Sequence, residues 1–151
     1  MPLISVTRLR VRSAWFLPEF FIYAMRSSRQ AQRSPGFLMG RLVNDARRTF
    51  WTITVWDDEK SMREYRGTAA HGKAMPKLAK WCDEASVVHW AEQNARIPDI
   101  TEAHARMQEQ GRASRVDHPS PEHLSRRIAL PIARGGPMLR PLHKAESASS
   151  A

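Results

Sequence analysis

The chain has very little cysteine, since Cys82 is the only one in 151 residues. A single thiol excludes an internal disulfide and suits a reducing compartment. No apolar run approaches the roughly 20 residues that a membrane-spanning helix needs. The most apolar stretch, residues 15–23, also lacks the basic start and small-residue exit of a signal peptide. We therefore expect a cytoplasmic protein without a membrane span.

Sequence motifs for metal or nucleotide chemistry are also missing. The sequence contains no CxxC, no HExxH, no histidine pair at helical spacing, no P-loop and no dinucleotide fingerprint. Cys82 lies near Asp83, Glu84 and His89 in the sequence, but we predict it at the end of a helix, where the helix dipole raises a thiol pKa. We interpret Cys82 as a core residue rather than a nucleophile.

The net charge of +9 is distributed unevenly along the chain. Residues 1–50 contain nine arginines but only two acids, Glu19 and Asp45. Such an excess is typical of proteins with an anionic partner, which here could be nucleic acid, an acidic lipid surface or an anionic small molecule. The arginines are scattered and form no like-charge block, so a merely solvated basic surface is the simpler alternative.

The pattern of apolar residues predicts a ferredoxin-like α+β domain over residues 1–94. Alternation with period two indicates strands, and a spacing of three to four residues indicates helices. The predicted order is βαββαβ, with strands at 3–12, 37–44, 48–56 and 85–92 and helices at 17–33, 58–66 and 69–81. This order predicts a four-stranded antiparallel sheet with the helices on one face. The other face would stay bare unless something covers it.

The third predicted strand, residues 48–56, carries aromatic residues on both sides. Trp51, Ile53 and Val55 point one way, and Phe50 and Trp56 point the other way. If the first set packs on the helices, the second set lines the open face, where it meets a ligand, a nucleic acid or a second subunit. Aromatics beside arginines also resemble an RNA-binding sheet, but the RNP consensus is missing, so nucleic acid is the weakest candidate partner.

The C-terminal third differs from the rest in composition. A short amphipathic helix is predicted from about Pro98 to Gln110, and proline-rich sequence follows. We interpret residues 95–137 as a helix plus an extended arm that packs on the domain or on a partner, and residues 138–151 as a disordered tail. The alternative is that all of the proline-rich sequence is disordered.

Two histidines are candidate functional residues. His71 follows a break at Gly67 and has small neighbours that leave room for a bulky group, and a neutral imidazole can ligate iron. The alternative is a histidine that caps a kink or lies at the surface. His89, in the last predicted strand, lines a cavity if it faces the uncovered side, or is buried against a backbone carbonyl if it faces the helices.

Several segments resemble one known superfamily, the dimeric α+β-barrel proteins of the antibiotic-biosynthesis monooxygenase type. The segments are Thr49–Thr52, Trp56–Glu59, Ala70–His71, Ala74–Leu78 and Trp81–Trp90. They are most similar to a bacterial branch that is labelled similar to spheroidene monooxygenase. The resemblance covers about residues 3–93.

The resemblance implies a homodimer whose two sheets close into a barrel, which would cover the bare sheet face. Some members of the superfamily oxidise polycyclic substrates without a cofactor, others degrade or bind haem, and others have no known activity. Haem-degrading members use a helical histidine with asparagine and tryptophan partners. His71 is the candidate ligand, but its spacing from Trp56 departs from that pattern, and Asn44 is the only strand asparagine. The resemblance thus implies the fold and the dimer, but not the triad.

These observations give one main hypothesis and two alternatives. We expect a monooxygenase-like homodimer that binds a small, mostly apolar molecule or haem, with His71 as general base or iron ligand. The expected wall residues are Phe20, Tyr23, Phe50, Trp51, Trp56, Met75 and His89. The alternatives are a non-catalytic ligand-binding or structural dimer with the same cavity, and a nucleic-acid binder that uses the basic N-terminal half.

Overall fold

The computed structural model describes residues 1–67 and 69–143, without the side chains of residues 69–71. Its elements follow the order βαββαβ and continue into a C-terminal segment. The strands are β1 (Leu3–Val11), β2 (Phe37–Asp45), β3 (Thr49–Trp56), β4 (Cys82–Ala91), β5 (Arg112–Ala113) and β6 (Met138–Leu139). The helices are α1 (Leu17–Arg33), α2 (Glu59–Arg66), α3 (Ala69–Trp81), α4 (Ile100–Gln110) and α5 (Pro121–Ser125).

The strands form one antiparallel sheet in the order β5-β4-β1-β3-β2-β6. β1 lies between β3 and β4, so that Val6 is opposite both Ile53 and Val88. The four long strands have the ferredoxin-like arrangement, which confirms the predicted fold class. The two-residue strands β5 and β6 pair with the outer strands and satisfy part of the edge backbone that would otherwise be unpaired.

Local sequence signals determine where the helices begin. Pro18 occupies the first turn of α1, where its missing N–H costs nothing, and Glu19 follows at the positive end of the helix dipole. The Asp58 carboxylate accepts a hydrogen bond from the Ser61 backbone N–H and caps α2. α1, α2 and α3 cover one face of the sheet, and Phe20 and Met62 are buried there.

The opposite face of the sheet is covered by the chain itself. Trp51, Ile53 and Val55 belong to a core that also contains Ala103 and Met107 of α4. The expected orientation was therefore wrong, because Phe50 and Trp56 lie on the helix-covered side, and the expected bare face is buried. Alternation determines which residues share a face, but both faces carry aromatic residues, so it cannot decide which face the three helices take.

The segment after α4 runs beside both edges of the sheet. β6 pairs with Gly40 and Arg41 of β2, and Leu139 is buried against the core under α1 and α2. Met138 and Leu139 were expected in a disordered tail, and the burial of Leu139 explains why they pair instead. Residues 144–151 of that predicted tail lie outside the described residues.

β4 begins at Cys82, three residues before the predicted start, because α3 passes directly into the strand. Cys82 is buried, and burial raises the pKa of its thiol to about 12. The thiol is thus protonated and packed in the core, although burial rather than a helix dipole is the main cause. Among the described residues, no helix is both long and apolar enough to cross a bilayer.

Candidate functional site

A cavity of about 260 Å³ lies between the sheet and helices α1, α2 and α3. Small side chains create this space at the points where a helix faces the sheet. Ala24 of α1, Ala74 of α3 and Ala85 of β4 all line it. A larger residue at any of these positions would project into the cavity. We call this space the helix–sheet cavity.

Aromatic rings form one wall of the helix–sheet cavity. The ring centroid of Phe20 lies 5.2 Å from that of Phe50 and 6.3 Å from that of Trp81. Phe21 makes an edge contact with Phe50 at 5.2 Å, and Tyr23 lies 5.4 Å from Trp81. Centroid separations of 4.5–7 Å are typical of favourable aromatic pairs, so this wall is a stable, preformed surface.

The sheet supplies a floor of hydroxyl groups. Ser5 and Thr7 of β1 lie opposite Thr54 and Thr52 of β3, and all four side chains line the helix–sheet cavity. The Thr54 hydroxyl accepts a hydrogen bond from Trp56 Nε1 at 2.9 Å. Within the described residues, the hydroxyls of Ser5, Thr7 and Thr52 form no hydrogen bond with protein. Three hydroxyls are therefore available to a ligand.

Trp56 and Tyr65 close one end of the cavity. Their rings are stacked with centroids 5.1 Å apart, and the Tyr65 hydroxyl donates to the Ser27 carbonyl at 3.0 Å. Burial raises the pKa of Tyr65 far above the usual phenol value of 10.0. The phenol is therefore neutral at physiological pH and acts as a donor rather than as a base.

The described lining contains few groups that could transfer a proton. Its ionisable side chains are two tyrosines and two arginines, Tyr23, Tyr65, Arg66 and Arg115. In that described lining there is no carboxylate, cysteine or histidine. In the described part of the chain, no group of three His, Cys, Asp or Glu side chains could hold a metal ion. The geometry thus supports binding of an apolar molecule more directly than acid–base chemistry.

The lining residues that are exposed show where the helix–sheet cavity meets solvent. Three of them are apolar, Phe21 and Met25 of α1 and Met75 of α3. Four others are polar, namely Asn44, Arg66, Ser114 and Arg115. The apolar side of the opening is the one flanked by α1 and α3.

The structure brings most of the predicted wall residues to one place. Phe20, Tyr23, Phe50, Trp56 and Met75 line the helix–sheet cavity. Trp51 also borders it, but its ring packs in the core under α4, so its backbone faces the cavity.

The two histidines are placed differently. His89 is half-buried on the helix-facing side of β4, opposite Ser5, but it does not line the cavity. His71 lies in α3, and its side chain is outside the described residues.

The hydroxyl floor and Tyr65 were not predicted from the sequence. Ser5 and Thr7 alternate along β1, and Thr52 and Thr54 alternate along β3, which is a readable signal for one polar stripe. The two stripes become a floor only when β1 and β3 pair in register, and pairing is a property of the fold.

A second, polar cavity of about 440 Å³ lies on the α4 side of the sheet. Its floor contains Arg8 and Glu84, whose side chains are 3% and 4% exposed. Glu84 accepts from Nη1 of Arg8 at 3.3 Å and from Nη1 of Arg10 at 2.8 Å. Arg8 and Arg10 belong to the basic N-terminal half, but both guanidinium groups pair with Glu84 instead of forming a free basic surface.

The comparisons with known proteins place the chain in a family. A family model described as a domain of unknown function, DUF3291, matches residues 17–115. That match covers α1 through β5 and includes most of the helix–sheet cavity. The chain belongs to the DUF3291 family. A comparison with curated proteins gives no significant match for this DUF3291 protein.

Solved structures with similar folds include monooxygenase-like proteins. SnoaB, a cofactor-independent oxygenase from Streptomyces nogalater, is 19% identical; the match covers 62% of this chain and 95% of SnoaB, with a TM-score of 0.52. An antibiotic biosynthesis monooxygenase is 14% identical over 61% of this chain and 99% of its own, with a TM-score of 0.54.

A third similar structure is Rv0793 from Mycobacterium tuberculosis. It is 11% identical over 63% of this chain and 98% of its own, with a TM-score of 0.57. At these identities the structural comparisons show that the DUF3291 protein shares the fold of these structures.

Proposed function

We propose that the protein binds a small, mostly apolar molecule in the helix–sheet cavity. The observation that carries this proposal is the apolar, partly aromatic wall around three half-buried hydroxyls, Ser5, Thr7 and Thr52, which lack a protein partner in the described residues. Polar groups removed from water without a partner cost free energy. A ligand with a carbonyl or hydroxyl group above the floor would satisfy them while its apolar body packs on the rings.

The size of the cavity restricts the ligand. Its volume of about 260 Å³ lies just below the range of about 300–1,000 Å³ that is typical of ligand pockets. A compact ligand is therefore favoured over a long or branched one. The same volume favours a ligand smaller than haem, whose proposed iron ligand, His71, has its side chain outside the described residues.

Dye binding tests the cavity directly. Ala24→Phe adds a ring to the cavity lining, and we expect it to weaken binding of the neutral fluorescent probe N-phenyl-1-naphthylamine by at least about tenfold, or 1.4 kcal/mol. Ala105→Phe makes the same change on the exposed side of α4 and should leave probe binding unchanged. Equal probe binding by both variants and the wild type would contradict the proposal.

Oxidation of the ligand is a further part of the proposal, and it depends on His71. The fold is shared with a cofactor-independent oxygenase, which supports monooxygenase-like chemistry without establishing it. With no described carboxylate or histidine in the lining, His71 is our candidate general base. Oxygen uptake with polycyclic phenols, lost in His71→Ala while the probe still binds, would support an enzyme. Probe binding without oxygen uptake in the wild type would favour the non-catalytic alternative.

The His71→Ala variant also tests haem binding. We expect no Soret band when haemin is added to the purified protein. A Soret band that is abolished in His71→Ala would return haem to consideration as the ligand.

Self-association remains a proposal that rests on the resemblance. α4 buries the sheet face through which we expected two copies to pair, so a homodimer would need another surface or an exchange of α4 between copies. Light scattering of the purified protein measures its mass and decides between one copy and two. The predicted cytoplasmic location likewise stays a prediction.

The nucleic-acid alternative receives little support from the fold. Both faces of the sheet are covered by helices, so the sheet offers no platform on which bases could stack. Retention on nucleic acid that falls steeply with salt would favour this alternative instead.

A further inference from the structure

We propose that the outer surface of α1 and α3 docks on an anionic membrane surface. Four exposed, large apolar side chains lie there, Phe21, Ile22 and Met25 of α1 and Met75 of α3. Trp15, in a single 3-10 turn (Ala14–Phe16) directly before α1, is exposed as well. We call these five residues the apolar patch. Trp15 is 85% exposed, Met25 59% and Ile22 51%. Aromatic and aliphatic side chains so exposed on one surface are typical of an interaction site.

The helical spacing directs part of this patch away from the sheet. Pro18, Ile22, Met25 and Arg29 recur at i, i+4, i+7 and i+11 and form one stripe on α1. All four are exposed, whereas Phe20 on the other side of α1 is buried. The stripe therefore combines three apolar residues with one arginine at its C-terminal end, on an exposed face of the helix.

The surroundings of the apolar patch are strongly basic. α1 and α3 together contain six lysines and arginines, all exposed, against one acid, Glu19, which is a net charge of +5 on two neighbouring helices. The six are Arg26, Arg29, Arg33, Lys73, Lys77 and Lys80. Lys77 pairs with Glu19 at 3.4 Å, so five cations stay available. Apolar side chains flanked by lysine and arginine are the usual composition of a surface that binds anionic lipid.

The charge also decides between a membrane and a second copy. A symmetric dimer through the apolar patch would bring the same basic helices close to each other, and this repulsion opposes the apolar contact. An anionic lipid surface suits both the basic side chains and the apolar patch, because its headgroups attract the cations and its acyl region accepts the apolar side chains. Trp15, in the turn two residues before α1, fits the interfacial region, where tryptophan is enriched.

Docking in this orientation would place the apolar side of the cavity opening at the lipid surface. Phe21, Met25 and Met75 belong both to the apolar patch and to the lining of the helix–sheet cavity. An apolar ligand dissolved in the membrane could then enter without crossing water. This consequence rests on the proposed function, whereas docking itself needs no ligand and is tested without one.

Vesicle binding of the full chain tests the proposal. We expect the protein to sediment with phosphatidylcholine vesicles that contain phosphatidylglycerol, and not with phosphatidylcholine alone, and added salt should weaken the binding. Ile22→Glu should reduce the partition coefficient by at least about tenfold, since a charge would enter the acyl boundary. Leu124→Glu on α5 is the control, because Leu124 is an aliphatic residue outside the apolar patch that is exposed at least as much as Ile22, 71% against 51%. It should bind as the wild type does.

Fluorescence reports the orientation. Trp15 is exposed, whereas the other four tryptophans are buried, so brominated lipid should quench Trp15 selectively. Trp15→Phe should remove the quenching.

Three results would overturn the proposal. The first is no binding of the wild type to anionic vesicles. The second is equal loss of binding in Ile22→Glu and Leu124→Glu. The third is a change of oligomeric mass in Ile22→Glu with vesicle binding unchanged, which would make the apolar patch a protein interface.

Discussion

Removing the Glu84 carboxylate should cost the protein a large part of its stability. Glu84 accepts from Arg8 and from Arg10, and the Arg8 side chain is 3% exposed. In Glu84→Leu, Arg10 keeps the Asp83 carboxylate at 3.7 Å and reaches water, since it is 24% exposed. The Arg8 guanidinium would keep only its cation–π contact with Trp51, 5.8 Å from the ring centroid. Its Nε already lacks a hydrogen-bond partner in the described residues. The buried guanidinium would then be unpaired.

A buried charge that loses its partner destabilises a fold by about 3–5 kcal/mol. Domains of this size have a total unfolding free energy of about 5–15 kcal/mol, so Glu84→Leu should remove about a fifth of it or more. The double variant Arg8→Met/Glu84→Leu removes both charges and replaces them with apolar side chains. We expect it to recover at least about 2 kcal/mol of the loss, because no unpaired charge remains.

Urea unfolding followed by circular dichroism measures the free energy of unfolding of each variant in this double-mutant cycle. The slope of free energy against urea should stay constant if the native and unfolded states keep their compactness. A loss below about 1 kcal/mol in Glu84→Leu, or no recovery in the double variant, would show that Arg8 and Glu84 are not desolvated as the geometry indicates.

Three further predictions concern single side chains. Thr54→Val leaves the indole N–H of buried Trp56 without its acceptor, so the unfolding free energy measured in urea should fall by about 1–3 kcal/mol. Thr52→Val is the control and should be nearly neutral, because the Thr52 hydroxyl has no protein partner in the described residues. Burial raises the pKa of Asp83 above its usual 3.8, so the folded state favours the protonated carboxyl. The stabilisation that Asp83 provides is therefore full below pH 3.8 and is lost as the pH rises through the raised pKa. Asp83→Asn should therefore raise the melting temperature at neutral pH and leave it unchanged in acid; a loss of stability at neutral pH would contradict this. Cys82 should react with iodoacetamide on the order of a hundredfold more slowly in the native protein than in urea, and fast native labelling would refute its burial.

The order of the elements could be derived from local signals alone. α1 spans the predicted residues 17–33, because Pro18 starts it and the Ser34–Gly36 turn ends it, and both signals act within a few residues. The β4 start was missed because no turn residue separates Trp81 from Cys82. β6 was missed because two residues carry no periodicity.

The candidate site was only partly accessible from the sequence. The aromatic wall residues Phe20, Phe50 and Trp56 stand out in the sequence because large rings are rare and their spacing is readable. Ser5 and Thr7 do not stand out, because isolated hydroxyl residues are common and acquire a role only when β1 pairs with β3.

By itself, the sequence determined which residues share a side of each strand and helix, because the periods of 2.0 and 3.6 are local properties of the backbone. It also determined the excess of cations on α1 and α3. Only the tertiary structure decided which sheet face each set occupies. α1, α2 and α3 took the face with the hydroxyl stripes, and α4 took the face with Trp51, Ile53 and Val88. That choice depends on how well distant surfaces pack together, and no local pattern in the chain encodes it.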